Sequence, residues 1–161
     1  MTDETPADGI RELRALTAAL TSAAESGDTE GLLGPRGGFP LGETVQHAAQ
    51  SIRYAMEGYP KLSPAVVRHS VGHAVKKVFL RRGAMRHNLA APVPGAPELD
   101  PNAALAASVA ELRDAVERLA GFAGELHPHP VYGRCTVPQA ASLQAMHLRE
   151  HLPGLAARVA A

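Results

Sequence analysis

Leu105, Val109, Leu112, Val116 and Leu119 recur every three or four residues, the spacing that gathers side chains on one stripe of an α-helix and scatters them over both faces of a strand. Ile10, Leu13, Leu16 and Leu20 repeat the pattern, and strand-like alternation is hard to find anywhere in the 161 residues. The chain therefore reads as all-α. Each stripe covers only one side of its helix and needs another helix to cover it, so a helical bundle is the natural architecture. Abundant Ala, 4% aromatic residues and no Trp favour close packing through small side chains. The length is that of one ordinary domain, expected to span 1–161 with about residues 1–8 flexible.

Gly, Pro and capping residues divide the chain. A first helix should run from Pro6 to about Ser26, where the Gly-rich "SGDTEGLLGPRGGFP" breaks it. That stretch lacks the Gly-Lys-Ser/Thr ending of a phosphate-binding loop and reads as a flexible connection. A second helix spans about Gly42 to Glu57, stopped by "GYP". Ser63 as N-cap and Pro64 at the first helical position start a third, continuing to about Arg82, with Val67, Val71, Ala74, Val75 and Val78 as its apolar face. "GAMRHNLAAPVPGAPELDP" is too rich in Pro and Gly for regular structure and reads as a long ordered crossover loop. Helix four should start after an Asp100-Pro101 cap, and "GELHPHPVYGRCTVP" is another loop. The fifth begins near Thr136-Val137-Pro138 and runs towards Leu152, where Pro153 interrupts or kinks it.

Composition removes several classes of function. Lys+Arg and Asp+Glu are equal at 16 each, which gives no global reason to expect nucleic acid or an acidic membrane surface. The basic run "KKVFLRRGAMRH" near a helix C-terminus reads as a solvated face that complements the helix dipole. The single Cys135 excludes an internal disulfide and a cysteine-based zinc site, and "GRCTVP" offers it no neighbouring base, so it reads as a bland loop thiol. The start "MTDETPADGI" lacks the features of a signal peptide and no apolar run approaches membrane-spanning length, so a cytoplasmic location is expected.

Eight histidines invite a metal reading, and helical position sorts them. Advancing about 100° per residue, Ala140, Leu143, His147, Leu148, His151 and Leu155 share one arc. Side chains at i and i+4 are roughly 5–6 Å apart at Cβ, so two imidazoles on this face can converge on one ion. His69 and His73 have the same spacing but sit across their helix from the valines, on a solvated face. His47 lies at the edge of an inward arc with Ala48, Ser51, Tyr54 and Ala55. Three neutral imidazoles from two helices would bind Zn²⁺, Ni²⁺ or Fe²⁺ and leave a position open; the competing reading is buried histidines satisfied by hydrogen bonds. "HLREH" also fits the H-x-x-E-H pattern of inverzincin proteases, but no acidic residue follows Glu150 to serve as the third ligand. Glu150 stays a candidate for acid/base chemistry or for orienting a ligand.

"LGETVQHAAQSIRYAMEGYP", "LRRGAMRHNLAAPVPGAP" and "HPHPVYGRCTVPQAASLQAMHLREHL", in this order and spacing, resemble the DinB-like superfamily, in a branch described as a domain of unknown function. The resemblance covers about residues 40 to 153. It implies a four-helix bundle with a long crossover and here an additional helix, and a divalent metal held by His47, His147 and His151. A tryptophan that often introduces the second helix is replaced here by "GGFPLGE", so the pocket entrance should differ. Some members of the superfamily are thiol-dependent transferases and others look like metal-dependent hydrolases, so the resemblance implies a small-molecule substrate, with a low-molecular-weight thiol as one candidate.

The leading expectation is a metal-dependent enzyme of one of these kinds, without nucleic-acid or membrane partners, and with a homodimer left open. Glu150 and Tyr54 are the catalytic candidates, while Ser51 and Tyr132 are candidate pocket groups and His127 and His129 either line the pocket mouth or are exposed. The alternative is a non-catalytic metal-binding or sensing bundle.

Overall fold

The computed structural model describes residues 7–161. Pro6 and most of the segment expected to be flexible lie outside the described residues, whereas residues 7 and 8 already belong to a helix. The described chain is all-helical, with no sheet. Its elements are α1 (Ala7–Ser26), α2 (Leu41–Glu57), α3 (Ala65–His69), α4 (Val71–Arg82), α5 (Leu105–Ala120), α6 (Val137–His151) and α7 (Pro153–Ala160).

The stripes read from the sequence form the core. Leu13, Leu16 and Leu20 of α1 meet Leu112, Val116 and Leu119 of α5, and all six are 0–1% exposed. α2 lies against α5 and adds Val45 and Ile52, while α6 lies against α1 and adds Ala141, Ala145 and Leu148. Small residues set the α1–α6 distance: a Cβ on Gly9 would come within 2.5 Å of the Ser142 backbone nitrogen. α6 starts where Thr136 and Gln139 form a reciprocal capping box, with Pro138 in the first turn. It ends at Leu152, whose φ of −124° and ψ of 62° break the helix before Pro153 restarts it as α7. The interruption expected at Pro153 is therefore a full stop followed by a further helix.

Three boundaries and one face differ from expectation, the first being the start of α3, where Pro64 rather than Ser63 is the N-cap and Ala65 is the first helical residue. The fourth predicted helix begins at Leu105 rather than after Asp100-Pro101. Asp100 instead forms a local turn, its Oδ1 accepting from Asn102 N at 2.8 Å, while its backbone N and O exchange hydrogen bonds with the Gln46 side chain of α2. The third predicted helix is split at Ser70 into α3 and α4. His69 and His73 are exposed as expected, but so are Val66, Val67, Val71 and Val78. The inward face of α4 is Gly72 and Lys76. Gly72 lets the Val131 carbonyl approach so closely that a Cβ there would lie 1.8 Å from the oxygen, and the Lys76 ammonium donates to the Arg134 carbonyl at 2.6 Å. Backbone fit and a partly buried hydrogen bond outweigh the valine stripe.

No described helix is long and apolar enough to cross a membrane.

The close α1–α6 contact makes a prediction of opposite signs. Gly to Ala within a helix ordinarily stabilises by up to about 1 kcal/mol. Gly42→Ala, with nothing within 4 Å of the new Cβ, should raise the melting temperature, and Gly9→Ala should lower it by forcing α1 off α6. Thermal unfolding of the two variants checks both.

Candidate metal centre

The three histidines singled out in the sequence come together. His47 on α2 and His147 and His151 on α6 each offer a ring nitrogen, and these atoms all lie within 4.8 Å of one another. The Nε2 atoms of His47 and His147 are 3.2 Å apart. Ring centroids are separated by 5.0 Å for His47–His147, 5.1 Å for His47–His151 and 4.8 Å for His147–His151. His47 and His151 are buried, and His147 is partly open to the adjoining cavity.

Burial, followed by the neighbouring histidines, lowers the basicity of all three: His47 to about 4, His151 to about 3 and His147 well below its usual value. Two imidazolium charges about 5 Å apart would repel by roughly 3 kcal/mol at an effective dielectric of about 20, before any desolvation cost. The cluster is therefore neutral at physiological pH and presents lone pairs rather than positive charge. Nδ1 of His47 is buried without a hydrogen-bond partner among the described residues. Neutral nitrogen donors gathered this closely, with the Nε2 atoms of His47 and His147 turned to each other, fit a borderline divalent cation.

A fourth imidazole was not legible in advance. His87, from the loop between α4 and α5, has its centroid 4.7 Å from that of His147 and 5.1 Å from that of His151, and its Nε2 is 3.3 Å from His151 Nε2. Glu150 holds it from behind, accepting from the His87 backbone N–H at 2.9 Å and from Nδ1 at 2.5 Å. Arg36 closes this arrangement with an ion pair to Glu150 at 2.6 Å and a hydrogen bond to the His87 carbonyl at 3.0 Å. Burial pushes the Glu150 carboxyl up, but the bonds from Arg36 and His87 outweigh it and hold the group below its ordinary range. Both carboxylate oxygens are thus occupied. Phe39 covers the cluster, its ring 5.2 Å from His47 and 6.5 Å from His151. The Gly-rich segment read as a mere flexible connection is therefore a built wall, with Leu32 fully buried beneath it. No helical period exists in either loop, so the spacing test that found His47, His147 and His151 had nothing to act on at Arg36, Phe39 or His87.

A cavity of about 270 Å³ opens from His47, His87 and His147. Ser51, Tyr59, Leu143 and Gln144 line it from the helices and their ends, and Val93, Leu126, Tyr132 and Cys135 from the loops. Among the described residues no Lys, Arg, Asp or Glu lines it. Ser51 is spent on the His47 carbonyl at 2.9 Å. Tyr54 does not line the cavity; it packs at 5.9 Å on Tyr59, whose hydroxyl donates to the Ser51 carbonyl at 3.1 Å. Tyr132 does line it, with burial pushing its hydroxyl up to about 12. Cys135 faces it too, and burial raises its thiol, so that it is held protonated rather than prepared as a nucleophile. His127 and His129 also contribute to the lining, although His127 is largely exposed.

A family model matches residues 10–158, nearly the whole chain. The chain belongs to the family described as Protein of unknown function (DUF1569). No curated protein and no solved structure matches it significantly. For this DUF1569 member the centre must accordingly be read from its own residues.

His129 supplies a pH prediction. Its Nδ1 accepts from the Val131 and Tyr132 backbone N–H groups at 3.1 and 3.2 Å, and its ring stacks on Tyr132 with centroids 4.3 Å apart. Burial, then the charge of Lys76, lowers it from 6.5 to about 4. Below about pH 6.5 the unfolded chain takes up a proton that the folded chain refuses until about pH 4, so stability falls as pH drops through that window. The slope from this group is at most about 1.4 kcal/mol per pH unit. Denaturant unfolding of metal-free protein at pH 7.5 and 5.0 should show a smaller loss for His129→Asn than for the wild type.

Proposed function

We propose that this protein is a divalent-metal-dependent enzyme with a DinB-like four-helix architecture, acting on a small, uncharged and largely apolar molecule by thiol-dependent transfer or metal-assisted hydrolysis. The observation that carries the reading is the position of the histidine cluster: three neutral imidazoles, two of which, His47 and His147, line a cavity with no Lys, Arg, Asp or Glu in its lining among the described residues. His47, His147 and His151 would hold the ion, which is Zn²⁺, Ni²⁺ or Fe²⁺ by its donor set. Once bound, it would supply Lewis acidity towards a carbonyl, a thiol or water.

The surrounding residues have separable tasks. The apolar wall of Val93, Leu126 and Leu143 would seat the body of the substrate and exclude water. Gln144, Asn88 and the Tyr132 hydroxyl are neutral polar groups of the lining able to orient it. Cys135 stays a thiol, so the sulfur nucleophile of a transfer reaction would come from a cosubstrate. A lining without cations favours a thiol that carries little negative charge. Glu150, a sequence-level catalytic candidate, acts in this reading by positioning His87, because neither of its oxygens is free. Tyr54 would act through Tyr59 rather than on substrate.

A non-catalytic centre that ties α2 to α6 is the second reading, favoured by the burial of His47 and His151, each 3% exposed. Turnover separates the two. Protein purified without an affinity tag should contain about one equivalent of divalent metal, and His147→Ala close to none, by elemental analysis. Metal at about 100 times its dissociation constant should stabilise the folded state by roughly 2.7 kcal/mol. The loaded protein should accelerate conjugation of a low-molecular-weight thiol to an electrophile, or hydrolysis of an ester without added thiol. Equal, near-zero metal in both proteins would end the metal reading, and stabilisation without either activity would favour the structural one.

A further inference from the structure

Building on the metal centre proposed above, we infer that His87 is a fourth protein ligand of the same ion, delivered by the crossover loop and locked in place by Glu150 and Arg36. Three observations converge on this assignment. The Nε2 atoms of His87 and His151 are 3.3 Å apart, as the Nε2 atoms of His47 and His147 are 3.2 Å apart. Both separations lie at or beyond the long end of a good hydrogen bond, about 2.7–3.2 Å. They match the roughly 3.3 Å between two nitrogens that share a tetrahedral ion at bonds of about 2.0–2.1 Å.

The second observation is the tautomer. An ionised carboxylate only accepts, so Nδ1 of His87 carries the hydrogen it gives to Glu150 Oε2, and Nε2, the atom turned to the cluster, is the nitrogen left to face an ion. A ring N–H bound to a carboxylate while the other nitrogen faces inward is the arrangement that fixes metal-ligating histidines. The third observation is where Glu150 sits. It is adjacent to His151 on α6, so one helix presents two ligands and the group that aims a third, and Arg36 fastens both Glu150 and the His87 carbonyl.

His87 differs from the other three in being on a loop, half-buried and at the cavity wall. The resting centre is then a four-nitrogen site, and a substrate donor atom enters either as an additional ligand or in place of His87, the one ligand not fixed to a helix.

Titration of the metal-free, tag-free protein with Co²⁺, followed by visible absorption and Zn²⁺ competition, tests this. His87→Ala should still bind one ion, with a dissociation constant raised about 10- to 100-fold or more and an altered ligand-field spectrum, and Glu150→Gln should weaken binding about 10-fold. Adding free imidazole to His87→Gly should restore the wild-type spectrum. If His147→Ala loses Co²⁺ while His87→Ala keeps the wild-type affinity and spectrum, His87 is no ligand and the three-histidine centre stands. If His147→Ala binds as tightly as the wild type, the centre itself is refuted, and this inference with it.

Discussion

His47, His147 and His151 can be enclosed together only if they are uncharged, and the structure is arranged around that condition. Centroid separations of 4.8–5.1 Å among them leave no room for two positive rings in a buried site. The helices, Phe39 and the crossover loop remove water from the cluster and lower the basicity of His47, His147 and His151. The same desolvation that suppresses protonation leaves neutral imidazole nitrogens gathered within 4.8 Å of one another, where a divalent cation could take up their lone pairs. A divalent cation would turn the least comfortable part of the fold into a link between α2 and α6.

The supporting frame is conventional helix packing put to a particular use. α1 and α5 bury their leucine and valine stripes in each other, and α2 and α6 complete the core from either side. α6 divides its surface between two tasks: Ala141, Ala145 and Leu148 pack into that core, while Leu143, Gln144 and His147 line the cavity. A helix anchored along one side by close-packed small residues holds the imidazoles on its other side at defined positions. The capping box at Thr136 fixes where the helix begins and hence its register.

Helical periodicity made much of this legible. It located the stripes of α1 and α5, placed His147 and His151 on one face of α6, and set His47 on an inward arc of α2. The same method misjudged α4, whose Val71 and Val78 face out, because the position of that helix is decided by the Val131 carbonyl against Gly72 and by the Lys76–Arg134 hydrogen bond. Both contacts join residues about sixty positions apart, and no local pattern encodes them. His87, Arg36 and Phe39 escaped for a related reason: loop residues have no period, and their convergence depends on how the helices are assembled. The DUF1569 match assigns a family but no chemistry, so the cavity and its donors carry the functional reading.

Zinc K-edge X-ray absorption on protein loaded with one equivalent of Zn²⁺ tests the central claim most directly. The account predicts only nitrogen or oxygen neighbours at about 2.0–2.1 Å, with the outer-shell scattering of at least three imidazole rings. A sulfur neighbour at about 2.3 Å, as a Cys135 thiolate would give, or a spectrum without imidazole outer shells, would contradict it.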